Sequence, residues 1–135
     1  MTKSPNRVIG LIFGAIYIVI GLVGFTATTG VGFFATNGGL LIGIFEVNLA
    51  HNLLHLVFGA ALFIAALAGP KLSALVNAGV GAVFLLLGLA GLFLVDSPYN
   101  FLALNVADNV LHFGSAAVLL AVGLGALKPV PKPAA

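Results

Sequence analysis

Four runs of about twenty residues, each nearly free of charge, leave this chain one solvent to fold in. They extend over roughly Val8 to Thr26, Asn48 to Gly69, Leu72 to Val95 and Asn105 to Leu127. Each has the length a helix needs to cross a hydrocarbon layer of ~30 Å. Hydrocarbon offers no hydrogen bonds, so every backbone N–H and C=O in these runs must find its partner within the helix. The expected fold is therefore all-α: a single membrane domain (1–135), a bundle of four transmembrane helices spanning 8–26, 48–69, 72–95 and 105–127. Composition agrees. The chain is 61% hydrophobic and 6% charged, against about 25% charge in a soluble domain. Five basic and three acidic residues cannot clothe a water-facing surface.

The few charges sort by side. Lys3 and Arg7 precede the first span, Lys71 lies between the second and third, and Lys128 and Lys132 follow the fourth. Glu46, Asp96 and Asp108 fall at the other ends. The excess of Lys and Arg on one side predicts that side to be cytoplasmic, with both termini inside. The net charge of +2 is too small to point to nucleic acid. With no cysteine, disulfides, thiolate metal sites and iron–sulfur clusters are excluded. The tail 128–135 is proline-rich and expected to be disordered on the cytoplasmic side. Residues 27–45 are uncharged and contain Asn37-Gly38-Gly39, a turn signal; a hairpin, an interfacial excursion or a re-entrant loop fits there.

Two stretches recur. Asn48-Leu-Ala-His51-Asn52-Leu-Leu-His55-Leu56 and Asn105-Val-Ala-Asp108-Asn109-Val-Leu-His112-Phe113 are identical at five of nine positions. The glycine spacing of Gly14, Gly21 and Gly24 returns in Gly81, Gly88 and Gly91. Together they predict two repeated helical hairpins, spans one–two and three–four, related by an axis along the membrane normal. Residues 1–30 also admit a signal-peptide reading, with Lys3 and Arg7 as the basic region; the repeat argues against it, because it makes the first span the counterpart of the third. Gly10, Gly14, Gly21 and Gly24 share one helix face, as small residues do where membrane helices pack closely. Clearance for a flat cofactor is the other use of such a face.

The repeated stretches carry every histidine in the chain. Asn48, His51, Asn52 and His55 share an arc of about 100° on one helix, and Asn105, Asp108, Asn109 and His112 the equivalent arc on another. Fourteen residues follow His55 before the span ends, about 21 Å of helix, so His55 and His112 lie several ångströms below the non-cytoplasmic boundary. Ionisable groups at that depth pair, line a cavity or hold a ligand. If the second and fourth spans face each other, His51, His55, Asp108 and His112 form a set suited to Zn, Fe, Mn or Cu(II), and unsuited to sulfur-seeking Cu(I). Asn48, Asn52, Asn105 and Asn109 would then hydrogen-bond the ligands or cap the helix starts. The same residues can instead be structural glue between helices, a proton relay, or a haem site with His55 and His112 on one iron.

HNLLHL (His51 to Leu56), NVADNVLHF (Asn105 to Phe113) and the stretch GIFEVNLAHNLLHLVFG resemble a bacterial family of small membrane proteins known as domain of unknown function 4383. The likeness covers nearly the whole chain. It implies a four-helix protein of the bacterial inner (cell) membrane in which these His, Asn and Asp positions recur, and it brings no activity with it. No nucleophile–base pair, phosphate loop or nucleotide-binding pattern occurs, so catalysis is not expected unless a bound metal keeps an open position. The leading expectation is binding of a transition metal ion. A non-enzymatic accessory subunit of a larger membrane complex, or a homo-oligomer, is the alternative. A transporter ranks last, because one shallow polar cluster offers no path through.

Overall fold

The computed structural model describes residues 4–126. The element order is α1 (Pro5–Ala27), β1 (Gly39–Leu41), β2 (Phe45–Val47), α2 (Leu49–Ala68), α3 (Pro70–Leu94) and α4 (Val106–Ala126). All four helices are long and apolar enough to cross a membrane, so the expected all-α, four-helix architecture holds, with one small two-stranded sheet added. The basic tail, with Lys128 and Lys132, and Lys3 lie outside the described residues.

Local chemistry sets the helix ends. Pro5 starts α1, where its missing N–H costs nothing and its fixed φ suits the first turn. Asn48 caps α2 with its side-chain oxygen, which accepts the His51 N–H at 2.9 Å. Between α2 and α3 stands a single residue, Gly69, at φ 155°; a side chain disfavours that conformation, and Pro70 restarts the helix at once.

Helix α1 packs along α2, and α3 along α4; the contact between α1 and α4 is thin. Glycine makes the long contacts. A Cβ at Gly14 would stand 2.7 Å from Phe63 N and 2.9 Å from Gly59 O, and one at Gly59 would meet Ile18 N and Gly14 O at the same distances. The two backbones touch, as tight membrane helix pairs do.

Burial is inverted relative to a water-soluble protein. Ile12, Ile16, Val19 and Leu22 of α1 and Leu86, Leu89 and Phe93 of α3 are exposed, whereas Asn6, Asn48, Asn52, Ser73, Asn77, Asn109 and all three histidines are buried. Such an exterior belongs in lipid. At the end of the bundle that holds the N-terminus, Asn6 forms a latch. Its Nδ2 donates to Val122 O at 2.9 Å, its Oδ1 accepts from Asn77 Nδ2 at 2.8 Å, and its carbonyl accepts from Ser73 Oγ at 2.7 Å. One α1 residue thereby joins α3 and α4.

The opposite end carries the sheet. Strands β1 and β2 are antiparallel, with Leu40 opposite Glu46. The turn is not Asn37-Gly38-Gly39, as the residue types predict, but Ile42-Gly43. Ile44 N donates to Leu41 O at 3.1 Å, and Ile42 and Gly43 lie at φ 49° and 75°, both positive as in a type I′ turn. Gly38 and Gly39 are needed for a different reason: a Cβ on either would overlap the backbone of Val47 or Ala27. Gly38 N also donates to Glu46 Oε1 at 2.6 Å. The exposed tip consists of Leu40, Ile42 and Ile44. A β-branched residue at positive φ is costly, and an apolar one in such a tip suits a lipid interface rather than water.

Candidate metal centre

The hairpin end of the bundle is organised by two caps. Asn48 is the N-cap of α2, and its Nδ2 donates to Ala35 O at 2.9 Å and Phe101 O at 2.8 Å, joining the two loops. Asn105 precedes α4. Its Oδ1 accepts from Asp108 N at 3.0 Å while Asp108 Oδ2 accepts from Asn105 N at 2.9 Å, a reciprocal capping box. Asn105 Nδ2 reaches Ile44 O at 2.8 Å, fixing the β hairpin to α4. Of the two uses expected for these asparagines, Asn48 and Asn105 serve the helix starts.

One position beyond the first turn, Asn52 and Asn109 have another task. Each lies on a glycine of the neighbouring helix, Asn52 on Gly24 and Asn109 on Gly91, where a Cβ would overlap the side-chain oxygen. Both Oδ1 atoms are buried without a conventional hydrogen-bond partner. The glycine Cα–H points at them, the geometry of a weak Cα–H···O bond between helices. Asn52 Nδ2 donates to Thr28 Oγ1 at 3.3 Å. These asparagines bind helix to helix and make no hydrogen bond to the imidazoles.

His51 and His55 descend from α2, and His112 faces them from α4. Among the described residues α2 and α4 share no extended close-packed interface; they meet through these rings. The ring centroids are 4.4 Å apart for His51–His55, 5.7 Å for His51–His112 and 6.3 Å for His55–His112. One nitrogen from each can be chosen so that all three lie within 4.8 Å of one another. Each of the three is 1–2% exposed, which leaves almost no water to satisfy them. None of the six ring nitrogens has a hydrogen-bond partner. Backbone of Glu46 and Leu102 lies against the His51 ring, outside hydrogen-bonding geometry.

Beneath the histidines is an aromatic floor that the sequence did not single out. Phe84 of α3 stacks on His112 at 5.4 Å, Tyr17 of α1 lies 5.2 Å from His55, and Tyr17 and Phe84 touch at 4.7 Å. The Tyr17 hydroxyl pairs with Ser115 Oγ at 2.6 Å, so it is spoken for. The available signal was periodicity: Tyr17 falls on the same face as Gly10, Gly14, Gly21 and Gly24, and all five are buried.

Asp108, expected as a fourth ligand, is not in the cluster. It is 1% exposed, but its carboxylate is engaged in the capping box and lies beside the Glu46 backbone. What the structure brings together is three imidazoles, a set that can hold a metal ion and leave a further coordination position open. No curated protein and no solved structure matches this chain. A family model described as Domain of unknown function (DUF4383) matches residues 7–125, nearly all of the sequence and the whole of the polar cluster, and the chain belongs to that family.

Proposed function

We propose that this membrane protein binds one transition metal ion through His51, His55 and His112, near the non-cytoplasmic face, with the hairpin end outward and both termini inward. The observation that carries the proposal is the six unpartnered ring nitrogens. A buried donor or acceptor left unpaired costs about 1–3 kcal/mol. Six of them in one place cost as much as a whole domain's net stability, about 5–15 kcal/mol. A metal ion takes up three lone pairs at once, and each remaining N–H then needs only a carbonyl, such as those of the backbone beside His51.

The ligand set favours Zn, with Fe, Mn and Cu(II) as imidazole-tolerant alternatives. At a Zn–N distance of about 2.1 Å, tetrahedral ligand nitrogens stand about 3.4 Å apart. The three candidate ligand atoms lie within 4.8 Å of one another, so binding would draw them together by about 1.4 Å. The haem alternative on His55 and His112 is disfavoured. The median of the three-ring triangle puts His51 roughly 4 Å from the midpoint of the other two rings, inside the disc a macrocycle would fill around an iron ligated from both sides.

The test is elemental analysis of protein purified in lipid nanodiscs after loading with Zn, Fe(II), Mn or Cu(II), with His51→Ala, His55→Ala, His112→Ala and Asp108→Asn alongside. One ion per chain is expected, lost in each histidine variant and kept in D108N. A wild-type protein that retains none of the four metals refutes the proposal.

A further inference from the structure

The histidine cluster can be approached from three directions, and they are unequal. From the end that holds the N-terminus the way is packed shut by Tyr17, Leu62, Phe84 and Leu119, none more than 1% exposed. From the side, a cavity of about 220 Å³ lies between α1, the β hairpin and α4, but apart from His55 and Asp108 its lining is apolar. A divalent cation would have to shed its water there against hydrocarbon walls, which is prohibitive. From the hairpin end, a cleft of about 410 Å³ separates the segment before α2 from the loop between α3 and α4. Its walls include Thr36, Asn37 and Glu46 on one side and Asp96, Asn100 and Asn105 on the other. Oxygen-bearing side chains of this kind can replace the water of a cation ligand by ligand.

Charge and position both single out the cleft. Glu46 and Asp96 stand on opposite walls, and Asn37 and Asp96 are exposed. Glu46 Oε1 accepts the Gly38 N–H at 2.6 Å, which fixes that carboxylate at the wall. Arg7 and Lys71 lie in the first turns of α1 and α3, at the far end of the bundle, so no basic side chain among the described residues neutralises the pair. A cleft lined by one sign of charge concentrates counter-ions and speeds their arrival by about 10–10³-fold.

The inner wall of the cleft is also the roof of the cluster. Glu46 lines the cleft while its backbone lies against the His51 ring. Leu102, whose backbone meets the ring from the other loop, stands between the cleft residues Asn100 and Leu104. His51 is 2% exposed and both its ring nitrogens are unpartnered. A layer of backbone therefore separates a bare imidazole from the cleft. Asn48 Nδ2 clasps the two loops together there, through Ala35 O and Phe101 O.

We propose that this cleft is the entrance to the metal centre: a hydrated divalent cation is captured between Glu46 and Asp96 and passes between the two loops to His51, the imidazole nearest the roof. The inference rests on the metal-binding reading and adds the ion's route to it.

The probe is Zn²⁺ mixed rapidly with metal-free protein in nanodiscs, with uptake followed by a chelating dye and final content by elemental analysis. Nanodiscs leave both faces open, so the variants alone report the side of entry. Asp96→Asn and Glu46→Gln remove charge and keep shape. Glutamine can still accept from the Gly38 N–H, and asparagine tolerates the φ of 63° at position 96. Asp96 is exposed, so D96N reads the charge alone. The chain has no cysteine, so Asn37→Cys carrying a bulky maleimide obstructs the cleft selectively, and Lys71→Cys with the same adduct is the control at the other face. At low salt, uptake is expected to slow about threefold in each charge variant and about tenfold in the double variant. That difference should vanish at ~1 M salt, where the Debye length is about 3 Å. The N37C adduct should slow uptake at every salt concentration and the K71C adduct at none, with one ion per chain bound at the end in all of them. Uptake unchanged in the double variant, or slowed as much by the K71C adduct as by the N37C adduct, overturns the entrance and leaves the metal centre standing. A wild-type protein that takes up no zinc sinks the metal-binding reading and the entrance with it.

Discussion

Replacing Gly14 by alanine should destabilise the protein, whereas the same change at Gly114 should not. At Gly14 the new methyl would stand 2.7 Å from Phe63 N and 2.9 Å from Gly59 O, against about 3.4 Å for ordinary contact. Both obstacles are backbone of α2, which no rotamer change can move aside. Relief requires α1 and α2 to part by roughly 0.7 Å, and a gap of that size forfeits about a quarter to a half of each dispersion contact across the seam. Overpacking of this kind costs about 1–3 kcal/mol. Alanine's better helix propensity returns about 1 kcal/mol, leaving a net loss of up to about 2 kcal/mol, or up to about a thirtyfold shift in the unfolding equilibrium. At Gly114 nothing lies within 4 Å of the added methyl, so only the propensity gain remains. Gly123→Ala, whose methyl would meet Ala78 N at 2.6 Å and Ala74 O at 2.9 Å, should behave like Gly14→Ala. Unfolding in mixed micelles with increasing SDS, followed by circular dichroism, measures all three. If G14A and G114A shift the midpoint in the same direction, backbone contact between α1 and α2 is not what holds that hairpin together.

Asn48→Ala removes a helix cap worth about 1 kcal/mol together with the ties to Ala35 and Phe101; the same unfolding assay should show it more damaging than Asn105→Ala, whose lost side chain ties only Ile44 besides the cap. Tyr17→Phe should cost about 1 kcal/mol for the lost pairing with Ser115 and leave metal stoichiometry unchanged, because the hydroxyl is not a ligand. Metal occupancy should fall as the pH is lowered, since protons compete for the imidazole lone pairs; three ligands make the fall steeper than one proton per ion, which a zinc-release titration with a chelating dye can read. Ile42→Asn, followed by the SDS assay in detergent, should stabilise the hairpin by about 1 kcal/mol, because asparagine tolerates the left-handed conformation that isoleucine resists.

The helices and the histidine set were legible because both are written in periodicity. Twenty-residue apolar runs admit one structure in lipid, and His51 and His55, one turn apart, must project together. The convergence with His112 followed from matching two stretches of sequence at equal distance from a helix start. What was not legible depends on contacts distant in sequence. Nothing near Asn6 reveals that it joins Asn77 and Val122, since isolated asparagines in apolar runs look alike until helices are placed side by side. The turn was misjudged because Asn-Gly-Gly is a stronger turn signal than Ile-Gly. Yet Gly38 and Gly39 serve close approach, and the environment of the tip overrides turn preference at Ile42. Phe84 and Tyr17 were invisible as site residues because aromatic side chains in a membrane helix are ordinarily core.

Asp108 shows why the candidate cluster gathers three imidazoles rather than three and a carboxylate. The sequence match aligns His51 with Asp108, and both occupy the third position after a capping asparagine. At that position a side chain that accepts hydrogen bonds can turn back to the N-cap backbone N–H and close a capping box. Asp108 does so, taking the Asn105 N–H at 2.9 Å. His51 also receives its cap from an asparagine, through its own N–H to Asn48 Oδ1, but its ring does not return the bond and points into the bundle, 4.4 Å from His55. The same slot therefore serves a helix end in α4 and the interior in α2. Asp108→His tests this directly: the box would lose its return bond, weakening the start of α4, while a fourth imidazole became free to join the cluster. Tighter zinc retention with a lower unfolding midpoint is the expected pair of results. A variant that loses stability and gains no affinity would show that the N-cap, not the residue in the third position, decides where that side chain goes.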